Sequence, residues 1–452
     1  MIDLLMNDIL GTPEILVGLF AFIGLLVQRK MFSDVISGTL KTVLGFVILG
    51  AGASVIQGSL GQFSSMFNHA FNVDGVIPNN EAIVAVAQDS FGTETAMIML
   101  FGMITNIILA RVTPFKFIFL TGHHIMFMAC LIAVILTTSG MSGFSMIVLG
   151  AVTLGSLMVL FPALLQPYTR EITQSDDFAV GHFGSMGYFV AGFIGRRIGN
   201  KSKSTEEINV PKSLGFLRDT SVAVSLTMVI LFLVVGGFAG SSFIESELSG
   251  GQNFLVFSFM QGLTFAAGVY IILAGVRMIL GEIVPAFKGI ADKMVPNAKP
   301  ALDAPTVFPF ANNAVILGFM ISFVAGLISM FLLPVFGLAV IVPGLVPHFF
   351  TGAAAGVFGN ATGGRAGAIV GSAANGIMIS FLPALLLPVL GTLGFESTTF
   401  GDADFGVVGL ILGNISNIVS SNMLFAIIVL LLLAICFAAG WRSYKKQESS
   451  TS

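Results

Sequence analysis

The sequence predicts an all-α polytopic membrane protein: about eleven transmembrane helices with re-entrant segments, arranged as two inverted-topology repeats. Three observations predict it. Charged residues are only 10% of the chain and apolar residues 55%, where a soluble protein carries roughly 25% charge. Apolar runs recur at the length a spanning helix needs, about 20 residues. Motifs of the first half return in the second half in the same order.

Taken in order, spans are expected near 13–28, 40–58, 93–110, 116–138 and 143–166. A second set follows near 214–240, 253–281, 313–333, 336–362 and 367–390, and a last span near 421–440. The stretches 79–92, 178–195 and 405–418 are too short or too polar to cross. They read as half-helices, which need protein or water around their free backbone groups. The whole chain, 1–452, is one membrane domain: a first repeat over 13–195, a basic loop over 196–213, a second repeat over 214–420, and a tail over 441–452. The 53 glycines and 16 prolines suit helices that pack closely or break.

Basic residues in short loops set the orientation. Arg29, Lys30 and Lys41 place the first loop inside, and so the N-terminus outside. Arg111 and Lys116, the run from Arg196 to Lys212, and Lys288, Lys293 and Lys299 mark later inner loops. Arg442, Lys445 and Lys446 put the C-terminus in the cytoplasm. Met1 to Thr12 shows no charged n-region and no small-residue cleavage site, so no removable signal peptide is expected.

The repeat rests on three matches. Pro78 to Val84 parallels Phe310 to Ile316, Phe119-Leu120-Thr121-Gly122 parallels Phe349-Phe350-Thr351-Gly352, and Asp177 to Gly181 parallels Asp404 to Gly409. The loop after the first helix is basic in copy one and acidic (Glu245, Glu247) in copy two, so the copies are expected to cross in opposite senses. Inverted repeats with broken helices and a midplane site are the architecture of alternating-access transporters.

Residues that can hold a substrate cluster in this scheme. His123 and His124 lie in the middle of an apolar stretch, and ionisable groups inside a membrane are costly and mark substrate or ion paths. The plainer reading puts the pair near a helix end, bonded to backbone. Asn80 and Glu81 follow Pro78 and can open a helix whose N–H groups face a ligand, or simply cap it at the surface. His182 and Phe183 sit on the short piece after Asp177, and Asp303 sits in a Pro-rich connection, where a surface acid is also at home. Such Asn, Asp, Glu and His side chains suit a polyhydroxy solute, with Met126, Phe127 and Phe183 nearby as apolar wall. His69 is expected to be structural and His348 a weaker candidate.

Several classes are excluded. Cys130 and Cys436 lie in separate apolar runs and give no disulfide, zinc or redox pattern. There is no nucleic-acid-binding basic cluster, no phosphate-binding Gly-rich loop and no soluble domain for ATP. No cofactor or metal is expected, and no catalytic residue. Energy must come from an ion gradient or a separate protein, and the Arg196 to Lys212 loop offers either a landing place for an acidic partner or an ordinary topogenic loop.

Leu120 to Phe127, Val180-Gly181-His182-Phe183, Gly275-Val276-Arg277-Met278, Asp303 with Phe310 to Val315, and Gly356-Val357-Phe358 resemble the ascorbate-specific membrane component (IIC) of the bacterial sugar phosphotransferase system. The resemblance covers nearly the whole chain. It implies an eleven-helix homodimer in the bacterial cell (inner) membrane, with a core domain, a V-shaped scaffold domain and an elevator-like motion. It implies uptake of L-ascorbate or a related sugar or polyol, phosphorylated by a separate IIB protein that IIA charges upstream. It places ligand contacts on Asn80, Glu81, His123 to Phe127, His182, Phe183 and Asp303. Phe127 or Met128, and Phe183, stand where ascorbate permeases are expected to carry glutamines, and Asn80-Glu81 where a Thr-Tyr pair is expected. The alternatives are a proton-coupled symporter of a sugar, polyol or sugar acid with the same fold, and a non-transporting sensor.

Overall fold

The computed structural model describes residues 13–71, 75–208, 220–391 and 398–418, and singly 423, 427, 428 and 431. Side chains at some further helix positions, Glu81 among them, lie outside the described set. So does nearly all of the span expected over 421–440.

Among the described residues the chain is all-α apart from six very short strands. In order it forms α1 (Pro13–Val27), α2 (Phe32–Phe71), β1 (Gly75–Pro78), α3 (Asn80–Val112), β2 (Phe117–Phe119), α4 (Gly122–Thr138), α5 (Gly143–Thr173), β3 (Ala179–Val180) and α6 (Ser185–Ile198). Then come α7 (Thr220–Ala239), α8 (Ser241–Phe243), α9 (Phe254–Met294), β4 (Lys299–Leu302), α10 (Asn312–Leu332), β5 (Val340–Ile341), α11 (Leu345–Leu386), β6 (Thr398–Thr399) and α12 (Ala403–Ile418).

Among the described residues five helices are long and apolar enough to cross a membrane, or six if α7 and the turn after it, bent by 100°, form one span. Large apolar side chains such as Leu40, Ile108, Ile230, Phe238 and Phe331 lie more than half exposed on these helices, as expected of a surface that faces lipid. The protein is therefore a multi-pass, all-α membrane protein.

Three expectations differ from the observed elements. The half-helix expected over 79–92 is the first part of α3, which runs unbroken from Asn80 to Val112. Conversely, the span expected over 116–138 is a buried strand, β2, followed by the 17-residue α4. Every residue from His124 to Leu136 is buried, so α4 is a central core helix and not a lipid-facing one. The short pieces expected over 178–195 and 405–418 are short helices, α6 and α12. The two spans expected over 336–390 are one element, α11, broken at Gly364. Gly364 has φ +59 and ψ −149, a conformation open essentially to glycine alone.

The six strands form two three-stranded parallel sheets. One has the order β5-β1-β6, so a strand of the first half lies between two of the second. The other has the order β2-β4-β3, so a strand of the second half lies between two of the first. Parallel strands suit a place covered on both faces. They also satisfy backbone groups that lipid would leave unpaired. Asn80 and Asn312 open α3 and α10 directly or shortly after the central strands, in line with the first sequence match. The other two matches are out of register. Thr121 immediately precedes α4, whereas Thr351 lies two turns inside α11. Asp177 precedes β3, whereas Asp404 follows β6 on α12.

The basic stretch after α6 is not a loose loop. The Glu206 carboxylate accepts the leading N–H groups of α10, from Asn313 at 2.9 Å and Ala314 at 3.0 Å. Arg365, just past the α11 break, donates its N–H to the Lys203 carbonyl and its guanidinium Nε–H to the Ser204 carbonyl. Lys212 lies outside the described residues.

A second tie crosses the ends of β3 and β4. Arg170 and Lys299 both pair with Asp176, which Gln166 also reaches. Burial alone would raise this carboxyl, but the hydrogen bonds from Arg170, Lys299 and Gln166 outweigh it and hold it well below the usual carboxylate range. The folded value lies below the unfolded one of about 4, so the contribution is present above pH 4 and is lost as pH falls through the folded value. Asp176 is 43% exposed, so Asp176→Asn is expected to cost under about 1 kcal/mol at pH 7. The cost should shrink at pH 3. Thermal unfolding in detergent at both pH values checks this, and an undiminished cost at pH 3 refutes it.

Candidate functional site

The steps from strand to helix bring the polar residues together. Asn79 and Asn80 follow β1, His123 and His124 follow β2, His182 follows β3, Asp303 follows β4, and Asp402 follows β6. A helical turn starts within a few residues of the end of each of these strands, so several helical N-termini lie near these residues.

His123 Nε2 lies 3.8 Å from Asp303 Oδ2, and His182 Nε2 lies 3.8 Å from Asp303 Oδ1. His124 Nε2 lies 3.9 Å from Asp402 Oδ2. The His124 and His182 ring centroids are 3.7 Å apart, and those of His123 and His124 are 4.6 Å apart. The three imidazoles and two carboxylates thus form one cluster. His124, His182 and Asp402 are each under 5% exposed; the cluster opens at His123 and Asp303, at 14% and 16%.

Neighbouring groups fix these side chains. Asp303 Oδ1 accepts the Ala304 N–H at 2.7 Å. Asp402 Oδ2 accepts Asn80 Nδ2–H at 3.0 Å, and Asn80 Oδ1 accepts the Gly401 N–H at 2.8 Å. Asp404 accepts the N–H groups of Ser185 and Met186, at 2.9 and 2.8 Å, and so caps α6 just past His182. Thr121 donates its hydroxyl to the Gly181 carbonyl, tying the start of α4 to the residue before His182.

The sequence-predicted residues divide. His123, His124, His182, Asp303 and Asn80 meet at the cluster. Phe127, one turn after the histidines, stands edge-on to the His123 ring at 5.7 Å. Ile125 and Met126 are buried in the apolar core. Phe183 is fully buried and stacks on Phe119 at 4.9 Å, so its ring belongs to the core and what it turns to the cluster is its N–H. The Glu81 side chain lies outside the described residues. His69 stacks on Phe243, and His348 bonds Ser322.

Sequence reading passed over Asp402 and Tyr188. The signal for Asp402 was available: an acid at the head of a short apolar piece is an intramembrane carboxylate. Tyr188 carried no signal beyond its type.

Two sets of three ligand atoms lie within 4.8 Å, His123/His124/Asp303 and His124/His182/Asp402. The distances suit a cation, but the proton positions do not. His124 Nδ1 accepts the Phe183 N–H at 3.3 Å, and His182 Nδ1 accepts the Gly184 N–H at 2.9 Å. A neutral ring that accepts at Nδ1 carries its proton on Nε2. Histidine ligands instead donate their second N–H outward to an acceptor. Both sets include His124, so neither fits a metal.

The cluster is suited to hydroxyl groups. A gap of 3.8–3.9 Å is too long for a direct hydrogen bond. It is short enough for one hydroxyl to accept from Nε2–H and donate to the carboxylate. Three such gaps side by side fit a solute with several hydroxyls.

A protein-family model described as PTS system sugar-specific permease component (EIIC-GAT) matches residues 8–404. The ascorbate-specific PTS system EIIC component of Mycoplasma pneumoniae is 26% identical over 421 residues, covering 81% of this chain and 63% of the relative. The chain thus spans somewhat under two thirds of that relative's length.

Proposed function

The chain belongs to the PTS sugar-specific permease component family, and from that premise we propose that it is a IIC subunit for a sugar-like solute, with L-ascorbate the first candidate. The solute is phosphorylated as it enters, by a cysteine-borne phosphoryl group on a separate IIB protein that IIA recharges. The single observation that carries this is the row of three imidazole–carboxylate gaps, each sized for one hydroxyl. Its ligand residues are Asn80, His123, His124, His182, Asp303 and Asp402, with Phe127 as wall and Glu81 beside Asn80. The resident membrane is the bacterial cell membrane, with the N-terminus outside and the C-terminus in the cytoplasm.

The architecture we infer is a homodimer of eleven-helix subunits, each with a V-shaped scaffold and a core that moves like an elevator. Two inverted repeats build each subunit. What supports the repeat is the exchange of strands, in which β1 sits between strands of the second half and β4 between strands of the first.

The test uses the purified protein in vesicles with external labelled ascorbate or a pentitol or hexitol. With phosphorylated IIB enclosed, phosphorylated solute should accumulate inside at least about tenfold above vesicles without IIB. Accumulation of unmodified solute that is driven by an imposed ion gradient and indifferent to IIB would reject the phosphotransfer reading and favour a symporter.

A further inference from the structure

Two site imidazoles are held from behind. The main-chain N–H groups of Phe183 and Gly184 point at His124 Nδ1 and His182 Nδ1. At His182 a second donor shares the same lone pair. Tyr188 Oη lies 2.9 Å from the same Nδ1. That nitrogen already accepts from Gly184, so it has no proton to give and the phenol is the donor. Tyr188 is fully buried and stacks on Phe358 at 5.5 Å between centroids, so its hydroxyl has a fixed aim. Gly184 leaves room for the arrangement, because a Cβ there would lie 2.7 Å from Tyr188 Oη.

We propose that Tyr188 is a positioning residue which, with the Phe183 and Gly184 N–H groups, fixes His182 and His124 as donors through Nε2, and that the Asp303 carboxylate takes the proton of the hydroxyl being phosphorylated. This rests on the phosphotransfer reading of the site. In the step, the hydroxyl oxygen forms a bond to the phosphorus of the IIB phosphocysteine. The P–S bond breaks, the cysteine leaves as thiolate, and the hydroxyl proton passes to Asp303. His182 is unsuited to that proton. Its Nε2 already bears one, and protonating Nδ1 would cost the bonds from Gly184 and Tyr188. Asp402 is less suited than Asp303. Its Oδ2 already accepts the Asn80 amide, and it is 4% exposed against 16%. Asp303 Oδ2 is the oxygen that the Ala304 N–H does not hold. Aspartate there can receive a proton while His182 donates to the same solute.

The test separates binding from transfer, with ascorbate as probe and the full chain in vesicles. Binding is measured by calorimetry without IIB, and transfer by single turnover from labelled phospho-IIB. Asp303→Asn is expected to hold ascorbate within about tenfold while the saturated transfer rate falls about 100-fold or more, the usual scale for losing a general base. His182→Gln keeps an N–H donor and has no ring to titrate. It should lose about tenfold in affinity and less than that in saturated transfer. Tyr188→Phe should weaken ascorbate binding about threefold to tenfold in the parent chain. It should add nothing to His182→Gln, whose amide has no tautomer to fix. Nitrogen-15 shifts of labelled histidines need neither ascorbate nor IIB, and should show protonated Nε2 and bare Nδ1 at His124 and His182.

Several results overturn the proposal: Nδ1–H at either ring, additive Tyr188→Phe and His182→Gln effects, or wild-type transfer by Asp303→Asn. Selective loss of transfer in His123→Gln or His182→Gln, with binding kept, would move the base to that imidazole. If the parent chain binds ascorbate but phospho-IIB transfers no phosphoryl group to that bound ascorbate, the functional reading fails while the nitrogen-15 result still decides the tautomers.

Discussion

Asp402→Ala is expected to lower uptake by at least about fivefold. Asp402 Oδ2 accepts the Asn80 amide and faces His124 Nε2–H, and all three side chains are buried. Removing the carboxylate strands the Asn80 amide and widens the gap that faces His124. A buried donor left without its partner costs about 1–3 kcal/mol. The low end of that range is about fivefold in an equilibrium constant. The bound solute also loses an acceptor for one hydroxyl, and a site built around hydrogen bonds discriminates steeply when one partner goes missing. Asp402→Asn is the informative companion. Its amide oxygen can still accept from Asn80, so the fold should be retained while the anionic acceptor is lost. Uptake should fall in both variants, and thermal stability chiefly in the alanine variant. Wild-type uptake by Asp402→Ala would remove Asp402 from the site.

The reach of the sequence can be judged from these same residues. His123, His124, His182 and Asp303 were legible because a charged or ionisable group in an apolar run is expensive, and the expense has to have a reason. Membrane class and the short helices α6 and α12 were legible from composition and run length. The strands were not. A stretch such as Phe117-Ile118-Phe119 reads equally as the start of a helix, since a short apolar run has no period of its own. Without that strand, the pattern extends α4 backward into a spanning helix and pairs two repeat motifs out of register. Asp402 carries no visible role in the sequence for the same reason. Its role depends on β6 pairing with β1, more than 300 positions away, and on Asn80 reaching across from the head of α3. Phe183 is the complementary case: the sequence points to its side chain, whereas the contact to His124 is made by its backbone N–H.

Gly363→Leu is expected to abolish a monodisperse folded protein. α6 and α11 touch backbone to backbone beside the α11 break. A Cβ on Gly363 would lie 2.4 Å from the Gly195 carbonyl oxygen, and one on Gly199 would lie 2.2 Å from Gly363 Cα. Neither contact involves a side chain that can swing aside, so the helices themselves must part. Small residues at such a seam are what allow helices to meet closely in lipid. Overpacking typically costs about 1–3 kcal/mol even where side chains can yield, and here only backbone is present, so about 3 kcal/mol is a floor. The damage should reach the cluster. Tyr188 lies on α6 and stacks on Phe358 of α11, so separating the helices withdraws the donor behind His182. A Gly363→Ala variant, if it can be purified, should therefore lose ascorbate affinity along with stability, although position 363 touches no site residue. Gly61→Ala on α2 provides the contrast, because nothing lies within 4 Å of a Cβ there. Alanine should stabilise that exposed helix position by up to about 1 kcal/mol. Size-exclusion profiles and melting temperatures of the three variants in one detergent check this. Equal behaviour of Gly363→Ala and Gly61→Ala would mean that the α6–α11 seam is looser than its atoms imply, and that His182 is held by something other than the packing of α6.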